Sequence, residues 1–420
     1  MTNPPTYNVR CLLASDHVDA TSGYAVQARL IALGLRKHCH LALLSTFGLH
    51  GSIQTWTDHN RLSVEDGIPV FPGGADAFAN DVIGKAAKAW QADVIITLKD
   101  ALVFNPQSFQ GFRWLPLTPC DHDPSSPQVI ERVRQSYRPI AYAPHGFRAL
   151  RLAGLDPFYA PHCYDPKVYY PMDRSEARKL FQLPDDLFIV GTVAVNRGGL
   201  PSRKTWVENL QAFAMFAQDK PNVRLFVHTD LADEGYEAGI PLRPLMASLG
   251  ILDKVLFCDQ ERYRFPHMGG FSQDYMRHYY NSIDVLNAVS NGEGFGIPVL
   301  EAQAVGTPVI VGDWCAHEDL CFAGWKVAKH EAHHWYDAQQ AGWVYIANPV
   351  AIADRMEKAY REGSPVVHAR QAIAGAAPYQ IDTVIRDHWL PILAELERDI
   401  KTPKSRGVLR IIRREEVFTP

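Results

Sequence analysis

The chain has 420 residues, 47% of them hydrophobic and 21% charged, with a net charge of −4. That length suits two or three globular domains, and the balance gives no global reason to expect a polyanionic partner. Seven scattered cysteines without a C-x-x-C pair point to reduced thiols in a cytoplasmic protein, and no run nears the roughly 20 apolar residues of a membrane span.

Residues 9–14 read as a first strand, a polar turn with Ser22, Gly23 and Tyr24 follows, and 25–37 read as a helix. Strands are expected at 40–46, 94–98, 114–118 and 140–143, and helices at 77–90, 128–137 and 145–152. The strand at 114–118 ends in Pro119-Cys120-Asp121-His122-Asp123-Pro124. Prolines then cluster at 157, 161, 166 and 171, as in an interdomain linker. The alternation restarts with strands at 188–195, 223–228 and 255–258 and helices at 204–218, 242–249 and 275–281. Late helices are expected at 351–361 and 381–399, before a basic tail holding Lys401, Lys404, Arg406, Arg410, Arg413 and Arg414. Such alternation, twice over, predicts two doubly wound parallel sheets, with ligands at the carboxyl ends of strands.

The stretch with the most chemistry is DVLNAVSNGEGFGIPVLEAQAVGTPVIVG, residues 284–312. A short apolar run leads into a glycine-punctuated turn, and Pro298 in the next turn marks a helix start, where a missing N–H costs nothing. Free amides at that positive helix end suit phosphate. Glu293 in the turn and Glu301 on the helix flank it, and carboxylates accept hydrogen bonds from hydroxyls. A cap and a solvated helix residue would be the plainer account of these two.

A second loop, Asn196-Arg197-Gly198-Gly199-Leu200-Pro201-Ser202-Arg203-Lys204, places three cations where a helix dipole disfavours them. An anion bound between them resolves that conflict, and the two loops together read as a diphosphate site.

These residues resemble the retaining GT-B glycosyltransferases of family four, whose signature is two glutamates with seven residues between. The likeness runs through Glu293-Gly294-Phe295-Gly296-Ile297-Pro298-Val299-Leu300-Glu301-Ala302, Gly306-Thr307-Pro308, the Arg197 to Lys204 loop, Pro161-His162 and Gly23. It implies an α/β GT-B fold of two Rossmann-like doubly wound domains facing a cleft. Residues 1–170 would bind acceptor and 171–380 the nucleotide-sugar donor, with 381–400 crossing back to the first domain and 401–420 a basic tail.

By the same resemblance, Arg197 and Lys204 would neutralise the donor diphosphate, with Arg203 beside them. Glu301 would bind the ribose hydroxyls and Glu293 the sugar, the amides of Gly294, Phe295 and Gly296 would face sugar and phosphate, and Gly23 would admit the diphosphate to the first domain's backbone. No metal or other cofactor is required. Asp121 and His122 are the candidates near the reacting carbon, a Pro-x-Asp setting favouring Asp121. His145 and His162 are further residues for the cleft, although Cys163 and Tyr164 stand where the family has Gly and Val.

The implied reaction moves a sugar from a nucleoside diphosphate, UDP- or GDP-linked, to a glycan, lipid-linked glycan or other hydroxyl acceptor. The basic tail leaves room for a membrane surface, or for nucleic acid as in phage-type enzymes that glycosylate modified DNA bases. A remoter alternative is a zinc metalloprotease, since His330, Glu331 and His334 match H-E-x-x-H, which needs both histidines on one helical face.

Overall fold

The computed structural model describes residues 5–49, 51–59, 62–197, 202–231, 239–264, 270–338, 340–363 and 366–402. Gly198 to Pro201, and Lys404, Arg406, Arg410, Arg413 and Arg414 of the tail, lie outside the described residues. The chain divides into two compact units, one of Met1–Cys120, Pro124–Cys163 and Tyr379–Pro420, the other of Asp121–Asp123 and Tyr164–Pro378.

The first unit holds strands β1 (Arg10–Asp16), β2 (His40–Phe47), β3 (Gln54–Trp56), β4 (Ile68–Phe71), β5 (Val94–Leu98), β6 (Arg113–Leu117), β7 (Ile140–Ala141) and β8 (Phe158–Tyr159). They form one sheet in the order β3-β4-β2-β1-β5-β6-β7-β8, parallel apart from the β3–β4 pair at the edge. The chain winds outward from β1 and resumes on its other side with β5, so β1 and β5 flank the switch point where α/β sheets take ligands.

The helix Gly23–Leu35 starts at Ser22, whose Oγ accepts the Ala25 amide at 3.1 Å. The helix expected at 77–90 is shorter, Ile83–Trp90. Asp76 Oδ1 accepts the amides of Phe78 and Asn80, and Ala79 sits at φ 59°, so an Asx-type turn occupies the first residues.

The C-terminal segment completes this unit. It runs through the helices Ile381–Val384 and Leu390–Lys401 with a π-helical turn, Ile385–Trp389, between them. Pro391 has no N–H for the preceding turn, which opens there. Ile385 packs on Gly34, where a Cβ would lie 2.4 Å from it, and Glu395 takes Arg138 at 2.7 Å.

The second unit holds β9 (Phe188–Val193), β10 (Val223–His228), β11 (Val255–Phe257), β12 (Val285–Asn287), β13 (Val309–Gly312) and β14 (Gly324–Val327). The order β11-β10-β9-β12-β13-β14 is parallel throughout, with its switch point between β9 and β12. Buried Asp284 fixes the start of both strands, accepting the Ile189 amide at 2.7 Å and pairing with Arg178 at 2.9 Å. Trp206, Phe213, Val190 and Ile310 are fully buried in the core beneath, each such side chain contributing roughly 1.5–3 kcal/mol.

The sequence pattern assigns no element to residues 332–347. They form an antiparallel hairpin, β15 (Ala332–Asp337) with β16 (Gly342–Ala347), whose exposed Tyr336 and Trp343 give it no simple apolar–polar alternation. The boundary between units also departs from the expected one. Met172 N donates to Asn281 Oδ1 at 2.8 Å, and Tyr169 packs near Tyr280, which draws 164–170 into the second unit. Asp121–Asp123 belong there too, because Asp123 N donates to Trp343 O at 3.0 Å and Lys329 pairs with the Asp123 carboxylate at 2.8 Å.

Candidate functional site

The loops after β9 and β12 meet at the switch point of the second unit. Beneath them lies a buried amide network. Asn287 Nδ2 donates to Asn209 Oδ1 at 2.9 Å, and Asn209 Nδ2 donates to the carbonyls of Lys204 and Val289 at 3.1 and 2.9 Å. Thr205 Oγ donates to the Val289 carbonyl at 2.8 Å, and Asn291 N to the Arg203 carbonyl at 3.0 Å. This network holds Thr205 at φ 45°, a left-handed conformation that a β-branched residue rarely takes. Such strain persists where the surroundings over-determine it, and here it turns Arg203 and Lys204 toward the glycine loop.

Lys204 Nζ is ion-paired to Glu293 Oε1, and Arg203 Nη1 lies 3.3 Å from Glu293 Oε2 and 3.4 Å from the Gly292 carbonyl. Burial pushes the Glu293 carboxyl up, but Lys204, Arg203 and His317 outweigh it and hold it well below the usual carboxylate range. Burial and the Arg203 charge pull Lys204 below its ordinary value despite Glu293. Two cations thus share one carboxylate.

Glycines serve two purposes in the loop. Gly296 sits at φ 104° and caps the helix Ile297–Ala304, with Pro298 in its first turn. A Cβ on Gly292 would stand 2.0 Å from the Asp121 carbonyl, so that glycine permits a backbone-to-backbone approach.

Asp121 therefore lies against the glycine loop. Its Oδ1 accepts His122 Nδ1 at 2.9 Å, and Asp337 Oδ2 lies 3.7 Å from His122 Nε2. Burial pushes Asp121 up, but His122 and then Arg203 hold it below its ordinary value. Burial pulls His122 down, and the bond and charge of Asp121, with Asp337 behind, raise it above its ordinary value. The ring of His122 is buried against Gly342, where a Cβ would lie 2.2 Å from it. Asp121 is the one whose charge is coupled to Arg203 and Glu293, while His122 is bracketed by two carboxylates.

Glu301 is buried and accepts the Tyr280 hydroxyl at 2.8 Å. Burial raises its carboxyl to about 7, against hydrogen bonds from Tyr280 and Tyr169. The two tyrosines were not expected. Neither is a close neighbour of Glu301 in the sequence, so no local pattern marks them.

Not every expected residue joins this group. Arg197 is exposed, and its charge is felt at Tyr263, where burial raises the phenol to about 12 and Arg197 counters weakly. Gly23 belongs to the first unit, at the start of the helix after β1. Near it, at that unit's own switch point, Asp16 pairs with Lys99 and accepts Ser22 Oγ at 2.6 Å, a charged cluster missed because Lys99 follows an ordinary apolar strand. His145 is buried in the first turn of the helix Pro144–Leu152. His162 stacks on Tyr142 at 4.1 Å, and burial pulls it down to about 3, as for a neutral core histidine.

The H-E-x-x-H reading fails on geometry. Lys329–Glu331 is a single 3₁₀ turn, and His334 follows on β15, so the histidines do not share a helical face. Glu331 is instead paired with Arg355, and no group of three His, Cys, Asp or Glu among the described residues could hold a metal ion. Nor, among the described residues, is any helix long and apolar enough to cross a membrane.

Comparison with known proteins gives a family likeness over part of the chain. Residues 191–321 match the model of glycosyl transferases group 1. The D-inositol 3-phosphate glycosyltransferase of Stackebrandtia nassauensis is 30% identical over 182 residues, 42% of this chain and 39% of that protein. That of Actinosynnema mirum is 29% identical over 209 residues, 48% of this chain and 45% of that protein. The matches thus span less than half the length of these curated relatives. Among solved structures, sucrose-phosphate synthase from Thermosynechococcus elongatus superposes with a TM-score of 0.65 at 15% identity, covering 94% of this chain and 98% of that one. Anabaena HepE, solved in complex with UDP and glucose, gives 0.63 at 16% identity, covering 92% and 99%. Residues 191–321, which hold Lys204 and Glu293, match the model of glycosyl transferases group 1, in a chain with the GT-B fold of two Rossmann-like α/β units.

Proposed function

We propose that the protein is a glycosyltransferase that moves a sugar from a nucleoside diphosphate to a hydroxyl acceptor with retained anomeric configuration. The observation that carries this reading is the convergence of Lys204 and Arg203 on Glu293 beside the N-terminus of the helix Ile297–Ala304. A diphosphate entering there takes over both cations and releases Glu293 toward the sugar hydroxyls. As the bond between the anomeric carbon and the phosphate oxygen breaks, its electron pair passes to the diphosphate, while the acceptor hydroxyl oxygen bonds that carbon on the same face and gives its proton to the departing phosphate oxygen. Lys204, Arg203 and the amides of Gly294, Phe295 and Gly296 stabilise that developing charge.

Glu301, set between Tyr169 and Tyr280, binds the ribose hydroxyls. Asp121 lies beside the sugar, with His122 and Asp337 fixing its orientation. Catalysis then rests on leaving-group stabilisation and positioning more than on a strong base. The charge that a metal would otherwise supply comes from Arg203 and Lys204, so turnover is expected to survive chelation. The acceptor is a glycan, a lipid-linked glycan or, given the names of the curated relatives, a phosphorylated polyol.

Incubation with a panel of UDP-, GDP- and ADP-sugars, with released nucleotide measured, tests the reading. One donor should be consumed, and Glu293→Ala should abolish the reaction. No consumption of any donor, or full activity in that variant, would overturn it.

A further inference from the structure

The imidazole of His317 is the most conspicuous polar group at the site that the proposed reaction leaves unused. It lies in the helix Cys315–Leu320, which follows β13, and is 3% exposed. Its Nε2 makes no hydrogen bond among the described residues. A buried polar atom without a partner costs free energy, and such atoms are rare unless a ligand completes them.

The direction of this atom is informative. A Cβ built on Gly296 would lie 2.5 Å from Nε2 and 2.9 Å from Cδ2, so the ring edge rests on the cap of the helix Ile297–Ala304. Glu293 is tied to the same place, since its carbonyl accepts the Ala316 amide at 3.1 Å, and His317 is among the charges acting on its carboxylate. The nitrogen therefore lies at the cap of that helix, where the charges of Glu293, Lys204 and Arg203 all act on it. Burial pulls the imidazole down to about 4, against the pull of Glu293, so at neutral pH it carries one proton. With that proton on Nε2 it is a donor facing a positive helix end, where the one partner that suits it is an anionic oxygen.

We propose that His317 Nε2 donates a hydrogen bond directly to the diphosphate of the donor, as a third side-chain ligand after Lys204 and Arg203. This rests on the glycosyltransferase reading and adds to it. His317 contributes geometry without another full charge, which matters where two cations already share one carboxylate. It also accounts for glycine at 296, whose missing side chain leaves room for the ring as well as for the left-handed cap.

The test measures binding to His317→Leu and His317→Gln by calorimetry, with circular dichroism and thermal midpoints establishing that each folds. The probes are inorganic pyrophosphate and whichever of UDP, GDP and ADP the native protein binds most tightly. His317→Leu should weaken both by about tenfold or more, the usual scale for a hydrogen bond to a charged group, and His317→Gln should recover part of that. In the native protein with nitrogen-labelled histidine, the His317 Nε2 resonance should shift on adding pyrophosphate. Unchanged pyrophosphate binding in both variants together with an unmoved resonance would overturn the proposal, and so would weakening confined to the nucleoside diphosphate, which would make Nε2 a ligand of the nucleoside. Lys204→Ala separates the two levels. If it loses pyrophosphate and His317→Leu does not, only the His317 assignment falls; if neither loses it, the donor site itself falls.

Discussion

Lys204 and Glu293 form an ion pair that joins the turn after β9 to the loop after β12. The pair is not symmetric. Glu293 sees two cations and is held low, whereas burial and the neighbouring Arg203 pull Lys204 below its ordinary value despite Glu293 and Asp121. A further negative group would balance the two cations, and in the proposed function the donor diphosphate is that group.

Replacing Lys204 by Ala leaves Glu293 buried with Arg203 alone. The expected loss is about 3 kcal/mol, the low end for breaking a buried pair, because one counter-charge remains. Adding Glu293→Gln removes the stranded charge and should restore most of it. Urea unfolding of the two single variants and the double gives the coupling directly, and additivity within roughly 0.5 kcal/mol would refute the pairing. Turnover of the donor in Lys204→Ala should fall by about 100-fold or more, as on removing a group that stabilises transition-state charge.

Glu301 makes stability depend on pH. Its folded carboxyl is raised to about 7 from an ordinary 4.5, by burial first. A raised value means that the folded state holds the proton more tightly. Its contribution is full below pH 4.5 and is lost as pH rises through 7, amounting to about 3 kcal/mol across the window. Without ligand, the protein should therefore be less stable at pH 8 than at pH 5. Glu301→Gln, a neutral isostere, should flatten that slope. Parallel slopes in the two proteins, by thermal or urea unfolding, would remove Glu301 as the source.

Much of this site is legible in the residues. β5 and β10 are short apolar runs between turn residues, and they appear with the bounds their pattern predicts. The glycine loop announces itself through Gly292, Gly294, Gly296 and Pro298. Long-range packing is harder to read. Arg197 and Lys204 sit in one loop, yet the turn forced by Thr205 sends Lys204 to Glu293 and leaves Arg197 exposed near Tyr263. Tyr169 and Tyr280 reach Glu301 from segments far apart in the chain. His317 lies in a short helix whose local pattern, DWCAHEDL, gives no sign that the imidazole turns inward. The aromatic face of β15 and β16 mixes exposed and half-buried residues, which obscures a period of two.

Asp121 and His122 should be separable by what each variant loses. His122 is raised above its ordinary 6.5, so its stabilising effect is present below that pH and fades as pH rises through the raised value. Asp121 is lowered, so its own contribution is present above its ordinary 3.8 and lost on acidification. His122→Gln should remove part of the alkaline loss of stability. It should also lower turnover while leaving the affinity for a nucleoside diphosphate unchanged, because its ring faces Asp121 and Asp337 rather than the cations. A loss of nucleotide affinity equal to the loss of turnover would show that the pair acts on the donor phosphates instead.

The glycines provide a last contrast, between two ways a glycine can be needed. Gly111 sits at φ 91° with nothing within 4 Å of an added Cβ, so Gly111→Ala meets only backbone strain. It should lower stability by about 1 kcal/mol and leave turnover unchanged. Gly292 is not among the residues at positive φ, so alanine fits its backbone, but the added Cβ would stand 2.0 Å from the Asp121 carbonyl oxygen. Neither partner is the end of a flexible side chain, so the loop and the 121–123 segment must part. Gly292→Ala should therefore fold and lose most of its turnover, with the His122–Asp121 bond displaced from Glu293. Unfolding midpoints and donor hydrolysis, measured on both variants, decide the matter. Native turnover in Gly292→Ala would mean that contact between Asp121 and the glycine loop is not needed for the reaction.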